Sequence, residues 1–304
     1  MRTDQSGAAL LAVLVVSISL SVLMGYTSIL MQQRLAVAEA AKVRLTDTAV
    51  VTQKLSELTY LLATQRITAA GVSRGSNAEG VKKDGDGQWL YQLTSDEIRT
   101  DGHKYQASGV EFSIQNESGL IPINSSMQYW LKKWLASSGF GYSGQNKLAA
   151  IVADYADPDE IRRPGGAEYE IQGTGNYLLQ SCRELLQLDQ WRALLAQRTN
   201  FLNNCALHRT PTINLNAVPA GLWQNLWPNS AAKISQARET GVWLLQDNDL
   251  LQFEPGMLSL DSNLYSRQGG RGFRVNVSTQ SVSKAVRIQV EHNRTMSYST
   301  RTMR

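Results

Sequence analysis

The chain opens with an apolar run of unusual length. No charged residue lies between Asp4 and Arg34. As an α-helix, residues 8–31 would span roughly 36 Å, which is enough to cross the hydrocarbon core of a bilayer. Most signal peptides have a shorter apolar region of about 7–15 residues, and no small-x-small cleavage site follows this run. The pattern therefore favours a membrane-spanning helix over a plain signal peptide.

The helical pattern continues beyond the apolar run. Residues 34–70 contain neither Gly nor Pro and are rich in Ala, Leu, Gln, Lys and Glu, which are good helix formers. Apolar positions recur every three or four residues, including Leu55, Leu58 and Leu62. The sequence predicts one helix over residues 8–70, half apolar throughout and half amphipathic.

Apolar and polar residues then alternate with a period of two, both before and after a long stretch of predicted helices. Strands are predicted at 88–94 and 104–115, the second with a bulge at Ser108–Gly109, and a closing hairpin at 271–279 and 284–292. Between them, helices are predicted at 127–136, 145–156, 176–186, 190–197, 217–226 and 230–238. Six tryptophans fall in this stretch, and we expect them to form a core.

This order of elements predicts an α+β protein with a long N-terminal helix, strands, a large, mostly helical inserted domain and a closing hairpin. The predicted organisation is a leader (1–7), the helix (8–70), the first part of the sheet domain (71–119), the inserted domain (120–268), the closing hairpin (269–292) and a polar tail (293–304), which we expect to be frayed.

Charge and composition limit the classes of function that the chain can have. The 304 residues carry a net charge of +4 with both signs interspersed, so no polybasic arm points to a nucleic acid partner. Cys182 and Cys205 fit no zinc-site spacing and are a candidate disulfide if the domain lies outside the reducing cytosol, the alternative being two buried thiols. The three histidines are scattered, and we expect no catalytic residues.

The N-terminus resembles a type IV prepilin, because a short leader ending in Gly7 is followed directly by the long helix. In that family a prepilin peptidase cuts after the glycine, here between Gly7 and Ala8. Pilins usually carry Glu five residues after the cut, where this chain has Ala12. A carboxylate inside the bilayer costs about 2.5–3.5 kcal/mol unless it is paired. A subunit without that Glu has no need of a partner for it, which suits a subunit at the end of a filament.

An ordered series of short motifs covers almost the whole chain. It comprises N-E-S-G (116–119), I-N (123–124), D-Y-A-D-P-D (154–159), G-G-A-E (165–168), E-L (184–185) and I-N-L-N-A (213–217). The series resembles the K-type minor pseudopilins of type II secretion systems, the GspK family. Asn116, Tyr155 and the missing Thr before Ala217 depart from the usual family pattern.

The resemblance implies a type IV pilin-like fold, in which the long N-terminal helix packs on an antiparallel sheet that the helical domain interrupts. It also implies a subunit that caps the tip of the secretion pseudopilus. It implies a single-pass protein of the bacterial inner membrane with its C-terminal domain in the periplasm. The expected partners are the I-type and J-type minor pseudopilins, through the N-terminal helix and the periplasmic domain.

The resemblance also implies calcium in the helical domain. The candidate ligands are Asp154, Asp157, Asp159 and Glu168, whose oxygens are of the kind that Ca²⁺ prefers. The alternative for these four is a set of capping and solvated acids.

Three other functions stay open at this stage. A minor pilin of a type IV pilus (PilX-like) would share the N-terminal pattern. A membrane-anchored periplasmic enzyme is the second, although no catalytic constellation supports it. The third is a DNA-uptake component, since residues 213–241 resemble a helix-hairpin-helix in which only Lys233 and Arg238 are nearby cations.

Overall fold

The computed structural model describes residues 5–75, 93, 96–167, 176–198, 200–267, 269–291 and 299–303. Its first element is a single uninterrupted helix, α1 (Gln5–Thr64). The helix ends before residue 70 because Ile67 pairs with Val72 across a tight turn, in which the Thr68 amide donates to the Gly71 carbonyl at 2.8 Å. Residues 64–70 contain no Gly or Pro that would predict this end of the helix.

A five-stranded antiparallel sheet follows α1. The short pair β1 (Gly71–Val72) and β2 (Ile98–Arg99) precedes it. The strands of the five-stranded sheet are β3 (Asp101–Ala107), β4 (Val110–Asn116), β9 (Gly272–Ser278), β10 (Ser283–Glu291) and β11 (Ser299–Met303). Their spatial order across the sheet is β11-β10-β9-β4-β3. The predicted α+β fold and the closing hairpin are confirmed.

Two strand predictions are wrong. Ser108 and Gly109 both have positive φ, +53° and +77°, and form a two-residue hairpin turn between β3 and β4 instead of a bulge in one strand. The tail, predicted to be frayed, contains a strand at Ser299–Met303 that pairs with β10 along the sheet edge. The predicted strand at 88–94 lies, except for Leu93, outside the described residues.

The second half of α1 packs on one face of the sheet. Val51, Leu58 and Leu62 are fully buried against strand residues such as Ile114 and Val275. This spacing of seven and four residues places the three side chains on one face of the helix. Above them, Asp47 accepts hydrogen bonds from the Thr279 hydroxyl (2.9 Å) and the Ser281 amide, which fixes the helix to the β9–β10 turn.

The remaining elements form a helical lobe between β4 and β9, which are neighbours in the sheet. In chain order they are β5 (Ile121–Pro122), α2 (Tyr129–Ser137), α3 (Tyr142–Ala156), α4 (Asp189–Gln197), α5 (Phe201–Asn204), β6 (Cys205–Ala206), β7 (Ile213–Asn214), α6 (Ala220–Leu226), α7 (Ala231–Glu239), α8 (Asp247–Phe253) and β8 (Tyr265–Ser266). Two parallel bridges, β5–β6 and β7–β8, tie the lobe together.

The lobe has its own hydrophobic core, separate from the one under α1. All of its buried members lie between residues 121 and 264, whereas the core under the sheet takes none from that range. The expectation for the tryptophans is confirmed, since Trp130, Trp134, Trp191, Trp223, Trp227 and Trp243 are all buried.

Two helix predictions in the lobe need correction. The predicted helix at 176–186 is only a 3₁₀ turn at Cys182–Gln187, started by a capping box between Ser181 and Glu184. The sequence reasoning missed α8, whose polar first turn, Asp247-Asn248-Asp249, reads as a loop.

Candidate functional site

The N-terminal half of α1 packs against no other described part of the chain. Between Ala9 and Thr46 every described side chain except Leu30 is exposed, over roughly 57 Å of helix. This helix is long and apolar enough to cross a membrane. Leu35 and Leu45, beyond the most apolar part, are 60% and 71% exposed. An exposed apolar surface of this length is typical of a segment that contacts a membrane, a protein partner or both.

The residues of the predicted cleavage site lie in this same helix. Gly7 and Ala8 belong to the continuous backbone of α1, which begins at Gln5. Ala12 follows on the exposed, apolar stretch. The position where pilins usually carry Glu therefore presents only a methyl group to the surroundings of the helix.

A buried arginine connects the helical lobe to the sheet. Arg238 of α7 donates to Asp101 of β3 at 3.1 Å and to the carbonyls of Val218 (2.7 Å) and Leu215 (2.8 Å). Its side chain is 3% exposed and that of Asp101 is 2% exposed. Burial lowers the pKa of Arg238 to about 10, so the guanidinium is still charged at pH 7.

Further groups surround this pair. Arg99 adds a second guanidinium to Asp101 at 2.7 Å and also pairs with Glu239 of α7. The Arg238 guanidinium lies 5.4 Å from the ring centroid of Trp223 and 5.9 Å from that of Trp243. Arg238 thus faces the sheet and is not available to bind a phosphate, as the helix-hairpin-helix interpretation would need.

A second charged cluster, centred on Glu117, also connects the sheet to the helical lobe. Glu117 is 5% exposed, and its carboxylate forms ion pairs with Arg274 of β9 (N–O distance 3.0 Å) and Arg287 of β10 (2.7 Å). Arg274 also donates to the Cys205 carbonyl in the lobe. Each of the two clusters therefore links the sheet to the lobe through buried charge.

Two sequence motifs meet where the lobe joins the sheet. A Cβ added to Gly119, of N-E-S-G, would lie 2.1 Å from the Ala217 carbonyl oxygen of I-N-L-N-A, so only glycine fits there. Gln115 donates to the same carbonyl at 2.8 Å. Asn116 donates to the Gly270 carbonyl and accepts from the Ser118 amide. The spacing of the motifs therefore reflects the packing of the lobe on the sheet.

The sequence reasoning missed Asp101 and considered Arg238 only as a cation near a helix-hairpin-helix, not as a partner of the sheet. Asp101 and Arg238 are single charges in otherwise ordinary segments, and no local pattern marks them as partners that lie 137 residues apart. Glu117 was part of a motif, but its role as the acceptor of two arginines depends on the register of β9 and β10.

The predicted acidic loop folds around Asp154. Its carboxylate, fully buried, accepts from the Arg163 side chain (3.1 Å), the Arg163 amide (3.2 Å) and the Ala167 amide (3.1 Å). A Cβ on Gly166 would lie 1.7 Å from this carboxylate, so the glycine permits the close wrap. Asp154 is therefore an organising acid of the loop.

The other candidate calcium ligands differ from Asp154. Asp157 pairs with Arg163 through one oxygen, while its Oδ1 is buried without a hydrogen-bond partner in the described part of the chain. Asp159 is exposed and accepts from the Ile161 amide at 2.8 Å. Glu168 lies outside the described residues. The described residues contain no group of three or more His, Cys, Asp or Glu side chains placed to hold a metal ion.

Cys182 and Cys205 are joined in a disulfide, with their Cα atoms 6.2 Å apart. The bridge connects the 3₁₀ turn to β6, the strand that pairs with β5 at the lobe's entry point. In the loop that follows β6, burial lowers the pKa of His208, although the contact with Thr210 and the nearby Glu117 partly oppose the shift. The His208 Nε2 atom is buried and has no partner among the described residues.

Comparison with known proteins gives a match among solved structures but none by sequence. No protein-family model matches the chain, and no curated protein matches its sequence. Among solved structures, the chain is similar to a subunit in the crystal structure of the GspK-GspI-GspJ complex from the enterotoxigenic Escherichia coli type 2 secretion system. The TM-score is 0.52 at 12% identity, and the match covers 89% of this chain and 99% of that one. The chain therefore has the fold of a subunit of a type 2 secretion GspK-GspI-GspJ complex.

Proposed function

We propose that the protein is a K-type minor pseudopilin that caps the tip of a type II secretion pseudopilus and acts in assembly, not catalysis. The observation that carries the proposal is the combination of an uncovered apolar half-helix with a lobe inserted between two paired strands. The helix supplies a surface for membrane insertion and then for packing in a filament. The bulk of the lobe leaves no room for another subunit ahead of it.

The partners follow from the same proposal. The structural neighbour is a GspK-GspI-GspJ complex, which supports association with I-type and J-type minor pseudopilins. The protein would span the inner membrane once and place the sheet and lobe in the periplasm. An oxidising periplasm agrees with the Cys182–Cys205 disulfide.

Processing by prepilin peptidase provides the experiment. We expect the mature protein to begin at Ala8, as read by mass spectrometry of its N-terminal peptide. Gly7→Ala should retain residues 1–7 and fail to support secretion, whereas Gly25→Ala, a glycine of the same helix with no atom near its would-be Cβ, should be processed normally. Normal processing of Gly7→Ala would contradict the proposal.

We also propose that the acidic loop binds calcium. The Oδ1 atom of Asp157, which has no hydrogen-bond partner among the described residues, and the exposed carboxylate of Asp159 are available to bind an ion, with Glu168 as the sequence-predicted further ligand. Asp154 does not fit this role, because its oxygens are already bound to Arg163 and Ala167. An ion held by the other acids would fix the outer part of the loop, while Asp154 and Arg163 fix its base.

A further inference from the structure

An open groove crosses the surface of the helical lobe. It has a volume of about 1060 Å³ and lies between α3, the loop 123–128 and the segment 209–211. We call it the α3 groove. Ala149, Ala153 and Ala156 of α3 contribute to its lining, and these small side chains leave space for a chain to approach the helix closely.

The walls of the α3 groove are fixed by hydrogen bonds. The Asn124 side chain donates to the carbonyls of Leu179 (2.9 Å) and Leu207 (3.0 Å) and accepts from the Leu179 amide (3.0 Å). The Ile123 amide donates to the Ala206 carbonyl at 2.9 Å. One side chain thus holds three segments in place, so the groove exists before any partner arrives, and binding need not order it.

The lining of the groove carries an excess of positive charge. Lys132 and Arg209 line it, and neither side chain has a hydrogen bond or ion pair with another described residue. Arg163 also lines it but is held by Asp154 and Asp157. Asp157 is the only carboxylate among the described lining residues, and Arg163 neutralises it.

Uncharged polar groups complete the lining. The side chains of Ser126, Gln128 and Asn146 face the groove region without a hydrogen-bond partner among the described residues. Amide and hydroxyl groups of this kind can bond to the backbone of an extended peptide, whose N–H and C=O groups need partners when they leave water. At this volume the groove exceeds most small-molecule pockets, which measure about 300–1,000 Å³.

We propose that the α3 groove binds an extended acidic segment of a partner protein. Carboxylates of the segment would pair with Lys132 and Arg209, and its backbone would bond to the amides along the wall. The inference goes beyond the proposed place of the chain in a pseudopilus and does not depend on it, because it rests only on the groove's shape, charge and unpaired polar groups.

The test uses the full chain in a non-ionic detergent and two fluorescent octapeptides, one alternating Glu and Ala, the other Gln and Ala. We expect saturable binding of the Glu peptide by fluorescence anisotropy, weakened by added salt, and at least tenfold weaker binding of the Gln peptide. Lys132→Gln and Arg209→Gln should each weaken Glu-peptide binding about fivefold, as expected for an exposed ion pair. Lys233→Gln on α7, outside the groove, is the matched control and should leave binding unchanged.

A variant without a charge change tests the groove itself. Ala153→Phe should weaken binding more than tenfold by filling the floor, in a protein whose thermal melt shows that it is folded. Glu-peptide binding that survives the Lys132→Gln/Arg209→Gln double variant would overturn the proposal, as would an equal loss of binding in Lys233→Gln.

Two further outcomes would identify a different occupant of the α3 groove. If inorganic phosphate displaces the peptide at an ionic strength where chloride does not, the groove is a generic anion site. Self-association that the double variant abolishes would identify a second copy as the occupant. Either result overturns the proposed acidic segment.

Discussion

The buried Arg238 offers the sharpest test of how the lobe is attached. Arg238→Ala removes three hydrogen bonds, one to the Asp101 carboxylate and two to backbone carbonyls, at 2.7–3.1 Å. A hydrogen bond to a charged group contributes about 1.5–3 kcal/mol net, and breaking a buried charge pair costs about 3–5 kcal/mol in all because these contributions are not additive. Asp101 keeps Arg99 as a partner, which limits the loss. We therefore expect the free energy of unfolding to fall by about 3–4 kcal/mol.

Thermal and urea unfolding of the full chain in detergent measure this loss. A fall of this size corresponds to a decrease of roughly 5–6 °C in the melting temperature of a protein of this length. The matched control is Arg192→Ala on α4, whose pair with Asp189 is exposed and should contribute less than about 1 kcal/mol.

A double-mutant cycle separates the ion pair from the carbonyl contacts. Arg238→Ala and Asp101→Asn should together cost at least about 1.5 kcal/mol less than the two single losses added, since they disrupt one interaction. A loss below about 1 kcal/mol for Arg238→Ala, or additive losses in the cycle, would refute the view that this charge pair holds the lobe on the sheet.

Three further predictions concern the loop, the junction and the helix. If the acidic loop binds calcium, chelation should lower the melting temperature of the unmodified protein, and Asp157→Asn should abolish both this decrease and the retention of the ion after desalting. Asp154→Asn should lower the melting temperature with and without calcium. A melting temperature that chelation leaves unchanged in the unmodified protein contradicts the site. Because burial lowers the pKa of His208, the unfolded chain binds its proton more readily, so stability should fall as the pH drops below about 6.5, and His208→Gln should flatten that slope in melts at pH 5–7. Leu58→Ala, at a fully buried position under the sheet, should cost about 2–5 kcal/mol in urea unfolding, while Leu45→Ala on the exposed half should cost under about 0.5 kcal/mol.

Local patterns predicted the parts of the fold that depend on a single element. The alternation of Phe273, Val275 and Val277 correctly gave β9, since all three side chains are buried on one face of the sheet. The uninterrupted helical composition gave α1, but its end at Thr64 depends on the pairing of Ile67 with Val72, which composition does not encode. Ser108–Gly109 was recognised as an irregularity, yet only the positive φ of both residues distinguishes a hairpin from a bulge.

The sites show the same division. The acids around Asp154 were identified from residue type and spacing, but Arg163 had to be placed in space before Asp154 could be separated from the other candidate ligands. The Arg238–Asp101 contact joins residues that no local pattern relates. The strand at Ser299–Met303 was missed because its backbone bonds to β10, not an apolar alternation, define it.

The central claim, a terminal subunit of a minor pseudopilin complex, is tested most directly by co-purification. The tagged full chain would be co-expressed with the I-type and J-type minor pseudopilins of the same secretion system and isolated in mild detergent across a range of salt concentrations. The proposal predicts a stable assembly of the three proteins with one copy of each, seen by mass photometry. Recovery of the full chain alone under every ionic condition, while the two other subunits still bind each other, would contradict it.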